Sequence, residues 1–104
     1  MIFLKKHSYE RSIILAMCDE ELIGKVLKSG SIYLDLNKYA SFYKGNLMSE
    51  EQAADMVDRE EFSSANVVGK RSVDIMISKR IVDKSDIKRV EKVPFVQVYK
   101  VESA

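Results

Sequence analysis

Hydrophobic positions along this chain fall into two periods. Ile2 to His7 and Ser12 to Met17 favour extended backbone, with the polar tetrad Ser8-Tyr9-Glu10-Arg11 between them, a pattern that predicts a β-hairpin. Ile13-Ile14-Leu15-Ala16-Met17 is apolar throughout, as a strand covered on both faces would be, so it is placed centrally in a sheet. Asp19-Glu20-Glu21-Leu22-Ile23-Gly24 reads as a short helix with Asp19 as N-cap, ended by Gly24. Ile32, Leu34 and Leu36 alternate with Tyr33 and Asp35 after the turn signal Ser29-Gly30; this predicts a half-buried strand, paired with Val26-Leu27. Asn37 is read as the cap of a short helical segment holding Tyr39, Phe42 and Tyr43.

The second period is helical. Ser49-Glu50-Glu51-Gln52 is a capping-box sequence. It opens a helix expected to run to about Glu61, with Ala53, Met56 and Val57 inward and Phe62 packing where the chain leaves it. After the extended run Ala65-Asn66-Val67-Val68, Gly69 turns the chain, and Val73, Met76 and Ile77 recur at helix spacing from Lys70 to about Lys79. Asp83-Lys84-Ser85-Asp86 is a polar turn before two last strands, Ile87 to Val90 and Val93 to Val101. Pro94 has no N–H for a ladder, so it belongs at a strand start, an edge or a bulge. Residues 1–104 therefore read as one α+β domain: a five- or six-stranded, mostly antiparallel or mixed sheet with two main helices, at about 50–61 and 70–79.

Composition changes this picture little. Hydrophobic residues make up 46% and charged residues 32%, as in a soluble globular protein. No stretch approaches the roughly 18 apolar residues of a membrane span, and the N-terminus is apolar before it is charged, the reverse of a signal peptide. One cysteine, Cys18, excludes an internal disulfide and fits a reducing cytoplasm. Net charge is +1, but residues 1–62 carry 8 Lys/Arg against 11 Asp/Glu, while residues 63–104 carry 9 against 5. A basic second half hints at an anionic partner, the alternative being an ordinary solvated surface.

Candidate chemistry concentrates in that half. Gly69-Lys70-Arg71 opens a helix, where free amides and two cations could meet an anion. It lacks the second glycine of a phosphate-binding loop, and the alternative is a turn glycine with exposed cations. Asn66 could orient a substrate or an RNA base, or close a turn through its own side chain. Lys79, Arg80, Lys84, Lys88 and Arg89 cluster in sequence and, with Lys70 and Arg71, could form one basic face for RNA backbone contacts. Asp19, Glu20 and Glu21 read as capping residues rather than metal ligands, because consecutive carboxylates do not converge. Cys18 before a helix start, with His7, could form a nucleophile–base pair, although a free cysteine is more often a packed small hydrophobe. No metal-binding or cofactor motif is present, so no cofactor is expected.

Three blocks occur in order: Cys18-Asp19-Glu20-Glu21-Leu22-Ile23-Gly24-Lys25, Ala65-Asn66-Val67-Val68-Gly69-Lys70-Arg71-Ser72-Val73, and Val93-Pro94-Phe95-Val96-Gln97-Val98. Together they resemble a family of small archaeal proteins, domain-of-unknown-function family 424, over nearly the whole chain. The resemblance implies a cytosolic archaeal protein with a compact α+β domain and an RNA-linked role near translation; it carries over no catalytic residue. Two positions depart from the family pattern: Phe95 follows Pro94 where relatives have His, and Arg80 precedes Ile81-Val82 where relatives often have Gly. The expected function is a cytoplasmic, non-enzymatic module for RNA or a ribonucleoprotein, acting through Asn66, Gly69, Lys70, Arg71, Lys79, Arg80, Lys88 and Arg89. The competing classes are a small enzyme or metabolite-binding protein with a polar pocket near Asn66, Gly69 and Cys18, and an adaptor with a protein partner.

Overall fold

The first two strands, β1 (Ile2–Tyr9) and β2 (Ser12–Asp19), form the N-terminal hairpin, closed by Glu10 and Arg11. A single 3-10 turn, Glu20–Leu22, then leads to β3 (Val26–Ser29) and β4 (Ile32–Asp35). After them come α1 (Ala40–Tyr43), β5 (Asn46–Met48), α2 (Glu50–Arg59), β6 (Ser64–Val68), α3 (Lys70–Ser78), β7 (Lys88–Val90) and β8 (Val93–Tyr99). This computed structural model describes residues 1–100; the expected continuation of the last strand to Val101 lies outside them.

Six strands make one mixed sheet in the order β5-β1-β2-β6-β8-β7. Among the described residues only β2 and β6 run parallel; every other pair is antiparallel. β2, with its apolar run from Ile13 to Met17, therefore lies inside the sheet, as its pattern predicts. β3 and β4 pair with each other in a separate two-stranded sheet. The protein is α+β, with α2 and α3 as its main helices.

The strands alternate, so each face of the sheet has its own core. Leu4, Leu15, Met17, Ala65, Val67, Val96 and Val98 point to one side and pack with Ala53, Val57, Val73 and Met76 of α2 and α3; Phe62 closes this core and Met56 and Ile77 flank it. Ala16, Cys18 and Val68 point to the other side, where Leu27, Leu36 and Tyr43 of the β3–β4 and α1 segment cover them. That second cover is partial. Along β8 the residues sharing the hairpin side are Phe95, Gln97 and Tyr99, and Tyr99 is 73% exposed.

Local signals account for several boundaries. The capping box at α2 is complete: Ser49 Oγ accepts from Gln52 N at 3.1 Å, and Ser49 N donates to Gln52 Oε1 at 2.9 Å. Such a cap contributes about 1 kcal/mol. At the end of α3, Arg80 N reaches Ile77 O at 2.9 Å and Ile81 N reaches Met76 O at 3.0 Å, a Schellman closure with Arg80 at φ 58°. Pro94 stands one residue before β8 begins to pair with β6, so its missing N–H leaves that ladder intact.

Three expectations are corrected. Asn37 caps nothing: Asp35 accepts from the Asn37 and Lys38 amides at 3.1 and 2.7 Å, and α1 begins later, after Tyr39. The α2 helix stops at Arg59, not Glu61, because Glu60 is already extended. Asn46–Met48, where no strand is expected, adds an edge strand to β1. Among the described residues, no helix is long and apolar enough to cross a membrane.

Candidate functional site

β2 and β6 are parallel, so their C-terminal ends meet at one edge of the sheet, and α3 starts there. Asp19, the last residue of β2, is 2% exposed and points at that helix start. Its Oδ2 accepts from Arg71 N at 3.1 Å, and its Oδ1 accepts from Ser72 N at 3.0 Å and Ser72 Oγ at 2.8 Å. Asp19 makes no side-chain cap to the 3-10 turn that follows it. It is thus an N-cap, as its residue type implies, but of α3 rather than of its own segment. The helix-dipole argument for an anion at this position holds, and the anion is the chain's own carboxylate.

Gly69 makes that approach possible. It sits at φ 107°, and a Cβ there would lie 2.6 Å from Asp19 Oδ2 and 2.7 Å from Asp19 Cβ, closer than packed atoms come. The cations beside it are paired. Lys70 Nζ lies 2.9 Å from Asp74 Oδ2; Arg71 Nη1 lies 2.6 Å from Glu21 Oε1 and 3.8 Å from Asp19, and its Nε lies 3.6 Å from Glu50. A backbone hydrogen bond, and then Arg71, hold the Glu21 carboxyl below its usual range.

The other basic residues are dispersed. Lys79 and Arg80 stand at the far end of α3, roughly 13 Å from Lys70 by helical rise, and Lys79 Nζ pairs with Asp58 at 2.6 Å. Lys88 and Arg89 are consecutive on the edge strand β7 and so point to opposite faces. Asn66 lies on the sheet face away from α3, since its neighbours Ala65 and Val67 pack in the helix-side core. Cys18 is fully buried, and its thiol is pushed up to about 12, first by burial and then by the charges of Asp19 and Glu21. His7 pairs in register with Ile14 while Cys18 pairs with Phe3; along the hairpin the two are roughly 13 Å apart, too far for a nucleophile–base pair.

Asn66 instead lines a cleft. Tyr33, Leu34, Asp35 and Leu36 of β4 and its exit form one wall; Tyr39, Phe42 and Tyr43 form another; Asn66 and Gln97 form the floor. Its volume is about 450 Å³, within the range of small-molecule sites. A deeper hollow of about 140 Å³ shares Leu34, Tyr43, Asn66 and Gln97 and reaches Val68 and Phe95. Neither Gly69 nor Cys18 lines either space. The floor is a cross-strand pair: Asn66 and Gln97 are register partners, and Gln97 Nε2 donates to Asn66 Oδ1 at 3.1 Å.

The rim is aromatic and cationic. Tyr33 and Tyr39 are 57% and 55% exposed. Lys28 Nζ lies 5.5 Å from the Tyr33 ring centre, and Lys38 Nζ 5.5 Å from that of Tyr39. Lys88, the register partner of Phe95, points to the same side of the sheet. Carboxylates stand there too: Glu91 accepts from Lys28 N at 2.7 Å, and Asp35 is engaged by two backbone amides and by Tyr33 Oη at 3.2 Å. The Lys38 amide foremost keeps its carboxyl below the usual range, and its charge raises the Tyr33 phenol above its ordinary value. Phe42 is fixed from behind by His7, stacked at 4.4 Å between ring centres, with His7 Nε2 2.8 Å from Phe42 O.

A family model described as "Protein of unknown function (DUF424)" matches residues 7–101. The chain belongs to that family. A crystal structure of an uncharacterized conserved protein from Methanopyrus kandleri is similar to it, with a TM-score of 0.79 and 24% identity over 99% of this chain and 96% of that one. That likeness shows that the DUF424 fold is shared. No curated protein matches the chain.

Of the sequence-derived candidates in this DUF424 chain, Asn66 alone lines the cleft and Lys88 shares its side of the sheet. Sequence reasoning does not single out Tyr33, Tyr39 or Gln97. A signal for the floor exists: Asn66 and Gln97 are each polar positions between apolar ones in strand sequences. Only the β6–β8 register brings them side by side.

Proposed function

We propose that the protein is a non-enzymatic module that binds single-stranded RNA across the open half of its sheet and in the aromatic cleft, not at the start of α3. The observation that carries this is the cleft itself, in which two exposed tyrosines flank a polar amide floor. Proteins that grip single strands combine aromatic platforms for the bases with cations for the backbone. Tyr33, Tyr39 and Tyr99 offer ring faces; Lys28, Lys38 and Lys88 offer charge on the same side. At the α3 start, Asp19 already occupies the amides, and Glu21, Glu50 and Asp74 accompany Lys70 and Arg71.

The test is a salt titration of binding to a labelled single-stranded RNA. Base–aromatic stacking is worth about 1–3 kcal/mol, so Tyr39→Ala should weaken binding by about 5- to 150-fold. Lys28→Ala with Lys38→Ala should flatten the log–log salt slope by roughly 0.7 for each phosphate no longer neutralised. Lys70→Ala with Arg71→Ala should leave affinity and slope unchanged; loss of binding there would move the site back to α3. Binding of a free nucleoside as tight as that of RNA would support the metabolite-binding class instead.

A further inference from the structure

The floor of the cleft presents a particular set of hydrogen-bonding groups. An amide side chain carries one carbonyl oxygen and one NH2 group. Asn66 and Gln97 share one hydrogen bond, from Gln97 Nε2 to Asn66 Oδ1. Among the described residues, the Asn66 NH2 group and the Gln97 carbonyl have no further side-chain partner, and both residues line the cleft. Turning both amides about would exchange the roles and preserve the outcome. Either way a donor stands beside an acceptor in a cleft lined by Tyr33, Tyr39, Phe42 and Tyr43.

From this pair we infer that the site reads the Watson–Crick edge of an unpaired base. The inference rests on the RNA-binding reading above and deepens it. Each of the four bases offers a donor next to an acceptor on that edge, so the amide pair is suited to a base in general rather than to one base. In a duplex the same edge is engaged by the partner base and is not available. The rings hold the base by its faces, which every base has, and the floor checks that its edge is free. The module is then a reader of unpaired RNA with little sequence preference.

Two comparisons test this with the wild-type protein. Oligouridylate has no partner within its own strand, and methylation at N3 of each uracil removes the edge donor while keeping the ring and the phosphates. The methylated strand should bind about 5- to 150-fold more weakly, the discrimination typical of a paired set of base-edge hydrogen bonds. Annealing oligouridylate to oligoadenylate should weaken binding at least as much. In Asn66→Ala with Gln97→Ala, checked for an unchanged melting curve, methylated and unmethylated strands should bind alike. Equal binding of the methylated and unmethylated strands by wild type would overturn the edge-reading inference alone, whereas equal binding of single strand and duplex would overturn the single-strand reading with it. Failure to bind any of these RNAs would overturn the RNA reading beneath it.

Discussion

The buried carboxylate at the start of α3 offers a sharp test of how this fold is held together. Asp19→Ala removes the acceptor from three donors: Arg71 N, Ser72 N and Ser72 Oγ. The Arg71 amide is only part-buried, whereas Ser72 is fully buried. Each buried donor left without a partner costs about 1–3 kcal/mol. With two buried donors on Ser72 left unpaired and the attraction to the helix dipole lost, the expected destabilisation is about 3–5 kcal/mol. Domains of this size have about 5–15 kcal/mol in all, so the variant should be near its limit. Asp19→Asn keeps one oxygen, which can stay on Ser72, and loses the charge and the second acceptor; about 1–2 kcal/mol is expected. Urea denaturation of the three proteins, with equal m-values, measures both differences. A cost below about 1 kcal/mol for Asp19→Ala, or an Asn variant no better than Ala, would refute the reasoning.

Three further outcomes follow from the same geometry. Gly69→Ala should cost more than about 2 kcal/mol through its positive φ and the clash with Asp19; combined with Asp19→Ala the two costs should sum to less than their separate values, as a double-mutant cycle would read. Arg80→Gly should raise stability by roughly 0.5–1 kcal/mol in urea denaturation, because a left-handed C′ position strains any side chain; a loss would mean that the Arg80 side chain contributes more than its backbone strain costs. Cys18 should resist thiol reagents in the folded state. Its folded value of about 12 lies above the ordinary value of 9.0, so its contribution is complete below pH 9 and is lost as pH rises toward 12. Cys18→Ala should flatten the decline of stability over that interval, and an unchanged slope would contradict the burial argument.

What the sequence disclosed depended on how far each signal reaches. The Ser49–Gln52 box spans four residues, and it appears in the structure as written. The helical spacing of Val73, Met76 and Ile77 and the unbroken apolar run of β2 are similarly self-contained. β5 carries no comparable signal in its three residues and exists because β1 offers an edge. The carboxylate of Asp19 was legible as a cap, but its helix begins some fifty positions later and is reached only through the β2–β6 pairing. The basic residues of the second half are neighbours in sequence, yet a helix separates Lys70 from Lys79, and strand alternation separates Lys88 from Arg89. The cleft was least legible. Its floor joins two strands, and its aromatic walls read in sequence as ordinary packing positions of β4 and α1.

The two main helices are specified in different ways, and that difference sets an order in time. α2 brings its own cap, so its first turn can close as soon as residues 49–52 meet. α3 has a glycine where its cap should be and borrows Asp19, a contact across 53 positions for Ser72. A nine-residue helix without a cap is marginal in water. An excised peptide spanning β6 and α3 should therefore be largely unstructured, and a peptide spanning α2 with its capping box should show more helix than that one. During folding α3 becomes persistent only after β2 and β6 have aligned in parallel, an event that must close the long intervening chain first. The helix records that the central pairing is correct, because a shift of register would carry Asp19 away from the amides it has to meet.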